Sequence, residues 1–66
     1  MNIVVNGKRR MVGEGCTVSL LIQDLRLNPT GIAVAVNRDV VPQSQRGELE
    51  LRETDTVEII QAVGGG

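Results

Sequence analysis

The group in this 66-residue sequence best placed for chemistry is not a side chain. Val63-Gly64-Gly65-Gly66 closes the sequence, so the last functional group is the α-carboxylate of Gly66. Its ordinary pKa of about 3.3–3.7 leaves it ionised at neutral pH. Three consecutive glycines add nothing to a core and lose the most conformational entropy when fixed. What they permit is close passage along another surface, as a thread of roughly 10 Å at about 3.3–3.6 Å per residue. Gly66 is therefore the candidate reacting residue, and Gly64 and Gly65 are the candidates for threading it into a partner. The competing expectation, from the tail alone, is a frayed terminus.

The side chains offer little catalytic equipment. There is no histidine, the one side chain whose unperturbed pKa lies between pH 5 and 8. No carboxylates are spaced as a metal site or a general acid–base pair. Cys16 is the sole conventional nucleophile. Placed just before a helix it can have a lowered pKa, although a small, partly buried hydrophobe is the preferred reading. Glu53 and Asp55 are assigned to a turn. Gly13 and Gly15 make no phosphate loop, because the Lys-Ser/Thr ending of that motif is missing. The chain is expected to be acted upon by enzymes and not to be one.

Length and composition set the frame that must carry the tail. Sixty-six residues make one small domain, near the lower limit for a single unstapled core. The 41% apolar content against 23% charge is globular, and the absence of Phe, Trp and Tyr leaves the core to Val, Ile, Leu, Met and Ala. No run approaches the length of a membrane span, and no signal-peptide pattern opens the chain. The lone cysteine excludes an internal disulfide and fits a reducing compartment. The expected location is the cytoplasm.

Charge is unevenly placed. Residues 1–33 carry Lys8, Arg9, Arg10 and Arg26 against Glu14 and Asp24, a balance of +2. Residues 34–66 carry Arg38, Arg46 and Arg52 against Asp39, Glu48, Glu50, Glu53, Asp55 and Glu58, a balance of −3. An acidic second half can steer a basic partner or serve simply as a solvated surface. Lys8-Arg9-Arg10 reads as a solvated hairpin edge, and without aromatics to stack bases nucleic acid is not an expected partner.

The elements follow from periodicity. Met1, Ile3 and Val5 give a strand face, and Asn6-Gly7 is the dipeptide favoured where both turn residues need φ > 0. A second strand spans Lys8 to Val12, with either Arg9 and Met11 or Arg10 and Val12 facing inward. Thr17 caps a helix whose stripe is Val18, Leu21, Ile22 and Leu25. Pro29 predicts its end near Leu27. Gly31 to Val36 predicts a strand buried on much of both faces, Asn37-Arg38-Asp39 a turn, and Val40-Val41 a short strand stopped by Pro42. Residues 43–47 predict an irregular stretch or one helical turn. Glu48-Leu49-Glu50-Leu51 fits either a strand or a loop that drops a leucine into the core. Thr56 to Ala62 is the last strand and runs into the glycines. Ile60 and Val63 are candidate docking residues, with Glu58 as a candidate steering charge.

A hairpin, one helix across the sheet, and further strands ending in a glycine tail is the order of the α+β β-grasp, or ubiquitin-like, fold. Asn6-Gly7, the Gly15-x-Thr17-Val18-x-x-Leu21 approach to the helix, Ala33-Val34-Ala35-Val36-Asn37 followed by Val41-Pro42, and Asp55-x-Val57-Glu58-Ile59-Ile60 before the glycines together resemble the ThiS family, sulfur carrier proteins of thiamine biosynthesis. The resemblance covers essentially the whole chain. It implies a mixed four- to five-stranded sheet on one main helix over residues 1–63, with a flexible tail at 64–66.

It also implies a cycle. A ThiF-like adenylyltransferase would use ATP and magnesium to adenylate Gly66, and a cysteine-derived sulfur donor system would convert it to a thiocarboxylate. A ThiG-like thiazole synthase would then receive the sulfur. No cofactor stays bound to the carrier, and neither nucleic acid nor membrane takes part. Two positions depart from the family pattern. Arg46 stands where relatives often carry Trp, which alters a packing or docking residue. Thr54 stands where Gly is usual, and a β-branched residue predicts a turn of different shape. Two alternatives remain at this level: a carrier for another pathway (MoaD-like, molybdopterin synthesis) or a ubiquitin-like modifier, and a non-catalytic β-grasp interaction module.

Overall fold

The structure is a computed structural model that describes residues 1–61. Seven elements follow in order: β1 (Asn2–Val5), β2 (Lys8–Met11), α1 (Val18–Asp24), β3 (Ile32–Val36), β4 (Asp39–Val40), a 3-10 turn (Gln43–Gln45) and β5 (Thr56–Gln61). The five strands form one sheet in the order β2-β1-β5-β3-β4. β1 and β5 run parallel at its centre, and every other pairing is antiparallel. This mixed sheet on one main helix is the β-grasp arrangement expected from the sequence.

Local chemistry accounts for the chain reversals. Asn6 and Gly7 take φ values of 50° and 82°, and Asn37 and Arg38 take 52° and 71°, so both hairpin turns have the left-handed central pair that matches strand twist. The Thr17 hydroxyl accepts from the Leu20 amide at 3.2 Å and caps α1. The helix ends earlier than Pro29 predicts. Arg26 turns left-handed at φ 59°, its amide donates to Gln23 O at 3.0 Å, and the Leu27 amide donates to Ile22 O at 3.2 Å. This pair of bonds is a Schellman closure. It stops the helix at Asp24, before the proline can act.

The core lies between α1 and one face of the sheet. Ile3, Val5, Val18, Leu21, Ile22, Val34, Val36, Val41, Leu51, Val57 and Ile59 are buried there. Leu51 drops into this core from a loop, while Leu49 stays partly exposed; only an isolated bridge from Glu50 to Thr17 approaches strand pairing. The expectation that β3 is buried on both faces fails. Val34 and Val36 are buried and Ala33 is exposed, because the one main helix covers a single face. The alanines made a one-sided strand read as uniformly apolar.

β2 resolves its ambiguity through register. Arg10 lies opposite Ile3 and Met11 opposite Asn2, so Arg10 faces the helix and Met11 the open side. Arg10 is no free solvated charge, since its guanidinium pairs with Asp24 of α1 at 2.5 Å.

Thr54 overturns another expectation. It adopts φ 69°, so the turn keeps its left-handed residue despite the β-branch. The surrounding bonds impose it: Thr54 N donates to Asn2 O at 2.7 Å, and Asp55 accepts from the Arg52 amide at 2.8 Å and from Asn37 Nδ2 at 2.9 Å. A residue held in a sparsely populated region persists where its neighbours over-determine it.

Candidate functional site

β5 is the path from the core to the expected working end, so the site is built from what holds this strand and what it exposes. At its start, Asn37 Oδ1 accepts from the Thr56 amide at 3.0 Å, and the Asn37 amide donates to Thr56 O at 2.7 Å. Glu53 Oε1 accepts from the Asn2 amide at 2.9 Å. Glu53 and Asp55 therefore spend their oxygens on the turn, in agreement with their assignment from sequence.

Further along, the ladder register between β1 and β5 ends at Val5 and Val57, because Asn6 leaves the strand direction at the hairpin turn. The Asn6 backbone amide still donates to Val57 O at 2.9 Å. Its side chain then reaches Ile59, where Oδ1 accepts from the amide at 2.8 Å and Nδ2 donates to the carbonyl at 3.2 Å. A carboxamide has the donor and acceptor set of a peptide group, so Asn6 carries the ladder to Ile59 without backbone. Sequence reasoning assigned Asn6 only to the turn. Asn-Gly is already the favoured pair for such a turn, so nothing in the sequence marked the second task of its amide.

The face of the sheet away from α1 is uncovered by any described element. Register places Met11, Val4, Ile60, Ala33, Ala35 and Val40 on it, with Glu58 opposite Ala35. Met11 is 76%, Val40 74% and Ile60 67% exposed. Ile60 and Glu58, two of the candidates for docking, thus lie next to one another on an open, largely apolar face. Val63, Gly64, Gly65, Gly66 and the expected domain boundary at residue 63 lie outside the described residues.

The remaining candidates have structural employment. Burial pushes the Cys16 thiol pKa up, Asp24 adds to the rise and Arg10 opposes it. Its Sγ donates to Thr17 O at 3.5 Å. The lowering entertained for a cysteine before a helix does not occur, and the thiolate is disfavoured. Arg46 is only 6% exposed. Its Nη1 and Nη2 donate to Pro29 O at 2.9 Å and Ile32 O at 2.8 Å, pinning the segment between α1 and β3. Its Nε has no partner among the described residues. Position 46, where the family resemblance leads to an expectation of Trp, is thus a packing position. Among the described residues no three His, Cys, Asp or Glu side chains gather to hold a metal, and no helix is long and apolar enough to cross a membrane.

The profile describing the ThiS family matches residues 3–66. The chain belongs to the ThiS family. A crystal structure of the thiamine biosynthesis protein ThiS from Geobacter metallireducens superposes with a TM-score of 0.85 at 29% identity, covering all of both chains. The sulfur carrier protein ThiS of Escherichia coli is 29% identical over 66 residues, again spanning both chains completely. A thiazole synthase from Paramagnetospirillum magneticum is 32% identical over all 66 residues, which amount to 20% of that protein. The chain therefore spans about a fifth of this longer relative, and so places the ThiS-like unit within a larger protein in that case. The Geobacter ThiS shares the fold described above.

Proposed function

We propose that this chain is a sulfur carrier of thiamine biosynthesis, a substrate of partner enzymes and not itself a catalyst. The observation that carries this proposal is the match to the ThiS family over residues 3–66, a span that includes Gly64, Gly65 and Gly66. The lack of catalytic side chains supports it, because every bond-making step is left to partners.

The Gly66 carboxylate attacks the α-phosphorus of ATP held with magnesium by a ThiF-like adenylyltransferase. A P–O bond forms and pyrophosphate leaves, giving an acyl adenylate. Sulfur from a cysteine-derived donor, arriving at the oxidation level of sulfide, then attacks the carbonyl carbon. The C–S bond forms as the C–O bond to AMP breaks, AMP departs with the electron pair, and a thiocarboxylate remains. A ThiG-like thiazole synthase takes the sulfur: the C–S bond breaks as oxygen from the acceptor substrate or water bonds to the carbonyl carbon, and the carrier returns as the carboxylate. Gly64 and Gly65 keep the thread narrow, and the open face around Ile60 seats the partner, with Glu58 steering its approach.

Intact-mass measurement tests this after incubation with ATP, magnesium, a ThiF-like enzyme and a sulfur source. The expected result is replacement of one oxygen by sulfur, localised to Gly66, and its loss when Gly65 and Gly66 are deleted with the fold intact. An unmodified tail under conditions that load a known ThiS overturns the carrier role.

A further inference from the structure

We propose that Asn6 is a positioning residue for the carrier reaction: its side-chain amide fixes the point and direction from which the chain leaves the sheet toward Gly66. This rests on the carrier reading above. The site is one residue wide. β1 stops pairing with β5 at Val5 and Val57, and Asn6, at φ 50°, sends the backbone away into the hairpin turn. Its carboxamide then binds both backbone groups of Ile59, at 2.8 Å and 3.2 Å. On the opposite side β3 pairs with β5 as far as Ile32 and Gln61. With Asn6 in place the strand is held on both sides here, by the Asn6 amide at Ile59 and by β3 through its pairing with β5, and without it the strand hangs from β3 alone at this point.

The geometry explains why this matters to a reaction remote from Asn6. Five residues follow Gln61. When drawn out through a partner's channel they span roughly 17 Å at about 3.3–3.6 Å each. A shift of the strand end moves the point from which this thread starts, and productive attack needs the reacting atoms about 3–3.5 Å apart. Such a shift therefore acts on the chemical step. Val4, Met11 and Ala33 of the docking face lie on β1, β2 and β3, strands that the Asn6 side chain does not bond.

Asn6→Gly separates the two tasks of this residue. Glycine accepts φ 50° and keeps the turn, but it removes both bonds to Ile59. Asn6→Asp keeps an acceptor for the Ile59 amide and loses the donor to its carbonyl. The measurements are amide hydrogen exchange at Ile59 and the kcat and KM of the carrier for thiocarboxylate formation by a ThiF-like enzyme. For Asn6→Gly we expect tenfold or greater loss of protection at Ile59 and a fall in kcat of about tenfold or more, with KM within about twofold of wild type. Asn6→Asp should lie between the two. Unchanged kcat in the glycine variant overturns the proposal, and so does a rise in KM with kcat preserved, which would assign Asn6 to docking. If the glycine variant does not fold, the same two outcomes are read from Asn6→Asp. A wild-type chain that is never loaded overturns the carrier role itself, and is told apart from failure of the positioning role by its wild-type control.

Discussion

Thr54 donates its backbone amide to the carbonyl of Asn2 at 2.7 Å while held at φ 69°, a left-handed conformation that a β-branched side chain disfavours. The bond ties the turn before β5 to the start of β1, the two strands that run parallel at the centre of the sheet. Thr54→Gly removes the steric conflict and keeps the bond. We expect stabilisation of about 1 kcal/mol, since relief of the left-handed strain exceeds the added freedom of the unfolded chain. In a domain this small that corresponds to a rise in Tm of roughly 4–8 °C, to be read by thermal unfolding. A lowered Tm would show that the Thr54 side chain makes a compensating contribution.

Among the described residues Arg46 is the one charged side chain that is buried, and its two bonds to Pro29 O and Ile32 O hold the path from α1 to β3. Arg46→Ala strands both carbonyls and leaves a void, so a loss of about 2–3 kcal/mol is expected in denaturant unfolding. Arg46→Met fills most of the volume and should lose less, about 1–2 kcal/mol. Equal losses in both variants would mean that volume counts for nothing here and that the hydrogen bonds carry the whole effect.

Ile60 is two-thirds exposed on the open face, so its replacement leaves the core intact. Ile60→Asp should shift Tm little, within about 0.5 kcal/mol of wild-type stability, yet weaken binding to the adenylating partner at least tenfold if this face docks. Titration calorimetry checks the pair of values. Glu58→Lys should slow association and flatten its dependence on ionic strength, and an unaltered salt dependence removes Glu58 from any steering role.

Cys16 carries a raised thiol pKa because burial disfavours the thiolate, with Asp24 adding to the effect. A raised pKa means a smaller thiolate fraction at pH 7–8, and the thiolate is the reactive form. Alkylation by iodoacetamide should be slower in the native chain than in the urea-unfolded one, and should accelerate with pH up to a midpoint above that of the unfolded thiol. Cys16→Ala should load sulfur as the wild type does. Loss of loading in that variant would make Cys16 part of the transfer route.

The elements themselves were legible in the residues. Asn6-Gly7 set a hairpin because two adjacent left-handed positions admit few other residues, and Thr17 with the Val18, Leu21, Ile22 stripe set a capped helix because backbone amides and apolar faces must be satisfied locally. The alternation of Val57 and Ile59 with Glu58 and Ile60 set the last strand, while the 67% exposure of Ile60 came only from the structure. The glycine tail, the poverty of catalytic side chains and the ThiS resemblance were likewise written in the chain order.

What depended on contacts distant in sequence was not. Arg10 pairing with Asp24, Thr54 accepting a left-handed turn and Arg46 sinking beneath the surface each reflect partners that local propensity cannot name. The same holds for Asn6 and Ile59, 53 residues apart. A single sequence states what a residue can bond to. The parallel pairing of β1 with β5 decides what it does bond to, because only there do the first strand and the last come within hydrogen-bonding distance.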